Sequence, residues 1–184
     1  MNPAPTVFRQ QLLAALPRVR RYARSLLFDT HAADDLVQTT LERALTHWHQ
    51  YDQQRDLLAW LLSIAHNAHL DTLRRDRRTS SVDPQDLTRT QDAAVAAQPA
   101  PDPALRLDIL KALSRLPTEQ RECLLLVGIE CQSYAQCADT LRIPIGTVMS
   151  RVSRGRVALR ALLDGPPAAP QNSGAVVQAL RRVR

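Results

Sequence analysis

The sequence predicts an all-α protein made of two helical blocks joined by a linker. Three observations lead there. Hydrophobic residues make up 45% of the 184 positions, enough for a packed core, while aromatics supply only 4% and glycine only 5 residues. Sheets and barrels lean on aromatic and β-branched residues and on glycine turns, so a strand-rich fold is disfavoured. Ala, Leu, Arg and Gln are prominent instead, and all four rank high as helix formers. Between the two blocks, Thr79 to Pro103 carries Ser80, Ser81, Pro84, Pro99, Pro101 and Pro103 with no sustained apolar period.

The first block, residues 1–78, reads as helical from Thr6 onward. Pro17 interrupts the first stretch and suits the opening position of a new helix. Val19, Tyr22, Ala23, Leu26 and Leu27 then recur at helical spacing. Asp29 and Thr30 offer a stop and a fresh cap. The next helix is expected from Ala32, with Asp34 and Asp35 at the positive end of its dipole. Its predicted apolar stripe is Val37, Leu41, Ala44, Leu45, Trp48 and Tyr51. After a polar turn at Asp52 to Arg55 the stripe resumes with Leu57, Trp60, Leu61, Ile64, Ala65 and Ala68. It ends in a charged patch from Asp71 to Arg78.

Residues 79–103 read as a linker. A second helical block occupies 104–164, and the Pro- and Ala-rich tail, 165–184, ends in Arg181, Arg182 and Arg184. Within the second block, Ser133 and Gln136 have the spacing of a capping box. Tyr134, Cys137, Ala138 and Leu141 follow on the inner face of a short helix. Arg142-Ile143-Pro144 makes a tight break, and Gly146-Thr147 leaves the next amino end uncrowded. The following helix turns Val148 and Val152 inward and Ser150, Arg151, Arg154 and Arg156 outward. Two short helices across such a turn, the second rich in Arg and hydroxyls, describe a helix-turn-helix.

The net charge is +6, and every strong base except Lys111 is arginine. A polyanionic partner suits that balance, because arginine grips phosphates and guanine edges bidentately. Cys123, Cys131 and Cys137 form no CxxC pair, which disfavours a disulfide framework or a zinc site. His66 and His69 lie three apart without an evident third ligand, so neither a metal nor any other cofactor is expected. No apolar run approaches the length that would insert in a membrane, Leu124 to Val127 included, and the start lacks a signal-peptide pattern. A cytoplasmic protein is expected. No Gly-rich phosphate loop and no nucleophile–base arrangement stands out, so an enzyme is not expected either.

The segment Gly146-Thr147-Val148-Met149-Ser150-Arg151-Val152-Ser153-Arg154-Gly155-Arg156 resembles the promoter-reading helix of extracytoplasmic-function (ECF) sigma factors. Leu113 to Arg121 is similar to the entry of their domain four. Ala32 to Ala44 resembles the polymerase-binding helix of their domain two, and Trp60 to Asn67 through Arg74-Arg75 resembles their strand-opening region. The order and the intervening linker fit as well. Three positions depart from the family pattern: Cys131 stands where Gly is usual, Cys137 where Ile is common, and Arg142 where the turn often has Gly.

The resemblance implies a division of labour. Asp35, Leu36, Gln38, Thr39 and Glu42 would face the clamp helices of the largest subunit of core RNA polymerase. His66, Asn67, Asp71, Arg74, Arg75, Arg77 and Arg78 would read and hold the −10 element. Asn67 fits either a base-edge contact or a core hydrogen bond, and Trp60 belongs to the core. Arg142, Gly146, Thr147, Ser150, Arg151, Arg154 and Arg156 would meet the −35 element, with Arg142 and Arg156 nearer the backbone. Further partners implied are the polymerase flap, promoter DNA and an anti-sigma factor. The competing reading is a stand-alone helix-turn-helix regulator that never touches polymerase.

Overall fold

The computed structural model describes residues 4–79 and 103–164, and every regular element among them is helical. The sequence-predicted linker and tail fall almost wholly outside the described residues. The first block contains α1 (Thr6–Leu27), α2 (Thr30–Thr46), a single 3-10 turn (Trp48–Gln50) and α3 (Leu57–Thr79). The second contains α4 (Pro103–Ser114), α5 (Thr118–Leu124), a wide π-type turn (Leu125–Ile129), α6 (Tyr134–Leu141) and α7 (Ile145–Asp164).

Three sequence expectations are corrected in the first block. Pro17 does not begin a helix; it lies inside α1, which runs unbroken from Thr6 to Leu27. Its face is exposed, where water can take the carbonyl that proline leaves without a donor, while Phe8, Leu12, Val19 and Leu26 keep one buried stripe across it. α1 ends where Phe28 turns left-handed (φ 55°) and bonds back to the Arg24 carbonyl. Asp29 then caps α2 by accepting from the Ala32 amide at 2.9 Å, so α2 opens at Thr30, two residues before the expected start.

The buried stripe of α2 is also rotated. It comprises Ala33, Leu36, Val37, Thr40 and Ala44, whereas Leu41 is half-buried and Leu45 is 43% exposed. Thr40 explains the shift. Its hydroxyl donates to the Leu36 carbonyl at 2.7 Å, so this polar side chain enters the core already satisfied. Trp60 behaves as expected, packed edge-on to Phe8 and tilted against Tyr51.

In the second block Ser133 and Gln136 close both bonds of the capping box. Cys137 and Leu141 are buried, and Arg142 adopts φ 53°, the left-handed conformation that turns the chain into α7. Cys131, also at φ 55°, occupies a left-handed position where glycine would be unstrained. Val148 and Val152 are fully buried, as the sequence indicated. Gly155 has a close neighbour, since a Cβ there would lie 2.9 Å from Leu124 Cδ1. Glycine therefore lets α7 approach α5.

The two blocks pack on one another. α6 lies against α3, and α1 touches α4, α5 and the π-type turn. One buried core cluster runs through both, from Phe8 and Tyr22 to Leu126 and Val152.

Candidate nucleic-acid and polymerase interfaces

Three surfaces carry the sequence-predicted residues. On α2, Asp35, Gln38 and Glu42 are exposed at i, i+3 and i+7, one continuous ridge. Gln38 donates to Glu42 at 2.9 Å along it. Thr39 is half-buried at its edge. Leu36 does not belong to this surface: it is 6% exposed and sits in the core stripe with Ala33 and Thr40. Leu45, assigned to the core from sequence, extends the exposed ridge one turn further, which the spacing 38, 42, 45 could have signalled.

On α3 the charged patch is organised around Asp71. Its carboxylate takes Arg43 at 3.0 Å and Arg74 at 3.7 Å, and its backbone carbonyl accepts from Arg75 Nε at 3.4 Å. Arg74, Arg75 and Arg78 are exposed, Asn67 is half-buried, and the Arg77 side chain lies outside what the structure describes. Asp71 thus positions arginines and is itself occupied. His66 departs from expectation most. It is 7% exposed and faces the second block, with Nδ1 2.7 Å from Glu122 Oε1. His69, one turn on, is equally buried; desolvation lowers its pKa, outweighing the opposing charge of Glu122.

On α7, Gly146, Ser150, Arg154 and Arg156 are exposed and Thr147 is half-buried. Arg142 projects from the turn before it. Ser150 donates to the Thr147 carbonyl, and Arg154 folds back to the Ser150 carbonyl at 3.3 Å. Arg151 is not fully outward: only 20% of its side chain is exposed, and it pairs with Glu119 at 2.7 Å. Beneath it lie two buried thiols. The hydrogen bond between them favours ionisation of Cys123 and opposes that of Cys137, and Arg151 acts in the same direction on Cys123. Sequence reasoning also missed Ile145 and Met149, 45% and 50% exposed at the amino end of α7.

An acidic ridge on α2, an arginine patch on α3 and an exposed Arg-hydroxyl helix after a tight turn are what a helix-turn-helix DNA-binding protein presents. The comparisons give the family. Residues 12–79 match the sigma-70 region 2 family and residues 106–159 match sigma-70 region 4. The chain is 36% identical over 162 residues to the ECF RNA polymerase sigma factor EcfG of Rhodopseudomonas palustris, spanning 88% of this chain and 87% of that one. It is 30% identical to the sigma factor CarQ of Myxococcus xanthus, over 87% of this chain and 91% of the relative. Among solved structures, the sigma factor RpoE of Bartonella quintana, determined with the anti-sigma factor NepR, superposes with a TM-score of 0.71 at 36% identity. It covers 89% of this chain and all of that one. CnrH, solved with the cytosolic domain of CnrY, gives 0.59 at 28% identity, covering 85% and 87%. This chain belongs to the sigma-70 family, as an RNA polymerase sigma factor of the ECF type. No helix among the described residues is long and apolar enough to cross a membrane.

Proposed function

We propose that this sigma factor engages the polymerase clamp helices through Asp35, Gln38, Thr39 and Glu42. It holds the −10 strand on the α3 patch and reads the −35 element with α7. The supporting observation is the solvent face of α7, where Ser150, Arg154 and Arg156 stand exposed after a left-handed turn at Arg142, on a helix anchored by buried Val148 and Val152. Such a helix can enter a major groove while its amino end meets phosphate. Opening DNA costs stacking energy, which a pocket for a displaced base and a row of phosphate contacts can offset. Arg74, Arg75, Arg77 and Arg78 serve as the phosphate contacts, and Asn67 as the edge reader.

The pair between Arg151 and Glu119 does not oppose this assignment. Glu119 is 70% exposed, and exposed pairs contribute about 0–1 kcal/mol, so Arg151 can exchange Glu119 for a guanine edge. The acidic ridge on α2 suits a basic protein surface better than nucleic acid. Bond-making belongs to the polymerase, and the sigma factor acts by binding, in the cytoplasm. An anti-sigma protein is a further partner, supported by the complexes in which the Bartonella quintana relative and CnrH were solved. The flap is the partner for the second block.

The test is holoenzyme binding to single-base variants of the upstream promoter element at two salt concentrations. Arg151→Ala and Arg154→Ala should flatten the preference among variants, each losing about 1–3 kcal/mol of discrimination. Arg142→Ala should weaken all variants alike and reduce the salt dependence. A uniform loss from all three would show that α7 supplies charge and no reading.

A further inference from the structure

The two helices that pack on α7 from within its own block each supply one buried thiol. Cys123 on α5 and Cys137 on α6 are both 0% exposed, and their thiols meet in a hydrogen bond. Cys131, the third thiol, stands apart: it is exposed, and its Sγ lies 3.9 Å from the Ile129 carbonyl. Arg151 reaches Cys123 from α7 while pairing with Glu119 at 2.7 Å. The bond from Cys137, followed by this guanidinium, favours the Cys123 thiolate against the cost of burial. Cys137 is pushed up by the same bond and by burial, so it keeps its hydrogen. One sulfur is thus set to attack and its neighbour to resolve.

We propose that Cys123 and Cys137 form an oxidation site, a dithiol that peroxide converts to a disulfide, and that the disulfide weakens reading of the −35 element by α7. The Cys123 thiolate attacks one peroxide oxygen and the O–O bond breaks. A sulfenic acid forms, and the departing hydroxide takes up a proton and leaves as water. The Cys137 sulfur then attacks the Cys123 sulfur, the S–O bond breaks, and a second water carries off the Cys137 hydrogen. Peroxide gains the two electrons that the thiols lose, and one S–S bond is the product. Peroxide is small enough to enter when α6, a helix of only 8 residues, opens locally. A disulfide holds its sulfurs about 2.05 Å apart, inside any hydrogen-bond distance, so closing it draws α6 toward α5. A close-packed interior has no void to absorb that movement. Gly155 of α7 already stands so near α5 that a Cβ would lie 2.9 Å from Leu124 Cδ1. The shift therefore passes to α7, and Arg151 loses the thiol it faces. The effect on reading rests on the proposed role of α7, whereas the bond itself does not.

The experiment uses the full chain carrying Cys131→Gly, which removes the exposed thiol at a left-handed position that glycine occupies without strain. The folded protein is treated with hydrogen peroxide, freed of it, and digested with trypsin after blocking of free thiols. Cleavage after Arg121 and Arg142 leaves both cysteines on one peptide, 122–142, which should be lighter by two hydrogens and carry no blocking group. Oxidised and reduced protein are then assembled with untreated core polymerase and titrated with promoter DNA. Oxidation should weaken binding by about tenfold, the effect of losing one bidentate base contact, and a dithiol reductant should restore it. Adding Cys137→Ala should abolish both the bond and the sensitivity to peroxide. Should that variant lose helicity by circular dichroism, Cys123→Ala replaces it, since either removes one of the two sulfurs. Free thiols at both positions after peroxide treatment of the folded chain would overturn the site. A disulfide that leaves promoter binding unchanged, or an equal peroxide loss in the alanine variant, would overturn its effect on reading. The bond is detected by mass alone, so a failure of the α7 assignment would show separately, in the base-variant panel run on reduced protein.

Discussion

The bond between Tyr22 and Glu122 gives the sharpest energetic test. Tyr22 is 1% exposed, with its ring packed in the shared core and only its hydroxyl directed at the carboxylate. Burial, followed by the neighbouring charge of Glu122, keeps the phenol pKa well above its usual value, so the group stays a donor throughout the accessible pH range. Tyr22→Phe removes that donor and almost no packing. A hydrogen bond to a charged group contributes about 1.5–3 kcal/mol, and the carboxylate left behind keeps His66 as a partner, so a loss of about 2 kcal/mol is expected.

Glu122→Met removes the acceptor at similar volume and strands both the phenol and the imidazole. Each stranded group costs about 1–3 kcal/mol, partly offset because a buried carboxylate no longer has to be desolvated. In the double variant the phenyl ring that replaces the phenol needs no acceptor, so the two losses should not add. The coupling in a double-mutant cycle should be about 1.5–3 kcal/mol. Urea denaturation of the four proteins, with slopes compared to exclude a change in cooperativity, measures it. Strict additivity would mean that this 2.6 Å contact contributes nothing across the two blocks.

Three further outcomes are expected. Reversing Asp35 and Glu42 to Lys should weaken core polymerase binding by tenfold or more in a pull-down titration (about 1.4 kcal/mol) while circular dichroism stays unchanged, because both side chains stand on the exposed ridge of α2. Acidification should destabilise the protein through His69: its folded pKa is lowered by burial, so below about pH 6.5 the unfolded chain takes the proton first and stability falls towards the lower folded value. Glu122, His66 and Arg121 all act on His69, so His69→Asn should flatten only part of that acid limb in denaturation midpoints, and an identical acid limb in the variant would remove His69 as a source. Ser133→Ala should cost about 1 kcal/mol in thermal or urea unfolding, because it removes the acceptor for the Gln136 amide from a helix of only 8 residues.

Much of the architecture was legible because it rests on local rules. The capping box at Ser133, the cap at Asp29 and the inward valines of α7 each follow from a few neighbouring residues, and each appears in the structure. The errors arise where a local rule was overridden. Proline inside α1 is tolerated because its face is solvent-exposed, a property of the tertiary fold. The stripe of α2 was misplaced by counting Thr40 as polar, when a bond to its own helix let it into the core. Leu36 and Leu45 then exchanged roles, and with them part of the predicted polymerase surface.

The contact between the blocks was not legible at all, and its chemistry explains why. Neither Glu122 nor Glu130 sits in a local sequence pattern that marks it as buried. Their partners are Arg18, Arg21, Tyr22 and His66, separated from them by 56 to 112 positions. The apolar side chains that the two blocks share are marked as inward by hydrophobic periodicity, which does not say which block they meet. Carboxylates gripped by arginine, phenol and imidazole must be desolvated to close, so their net contribution is modest although breaking one partner alone is costly. The charged part of the joint lies outside the apolar pattern by which sequence reveals a fold, and only the folded chain shows it.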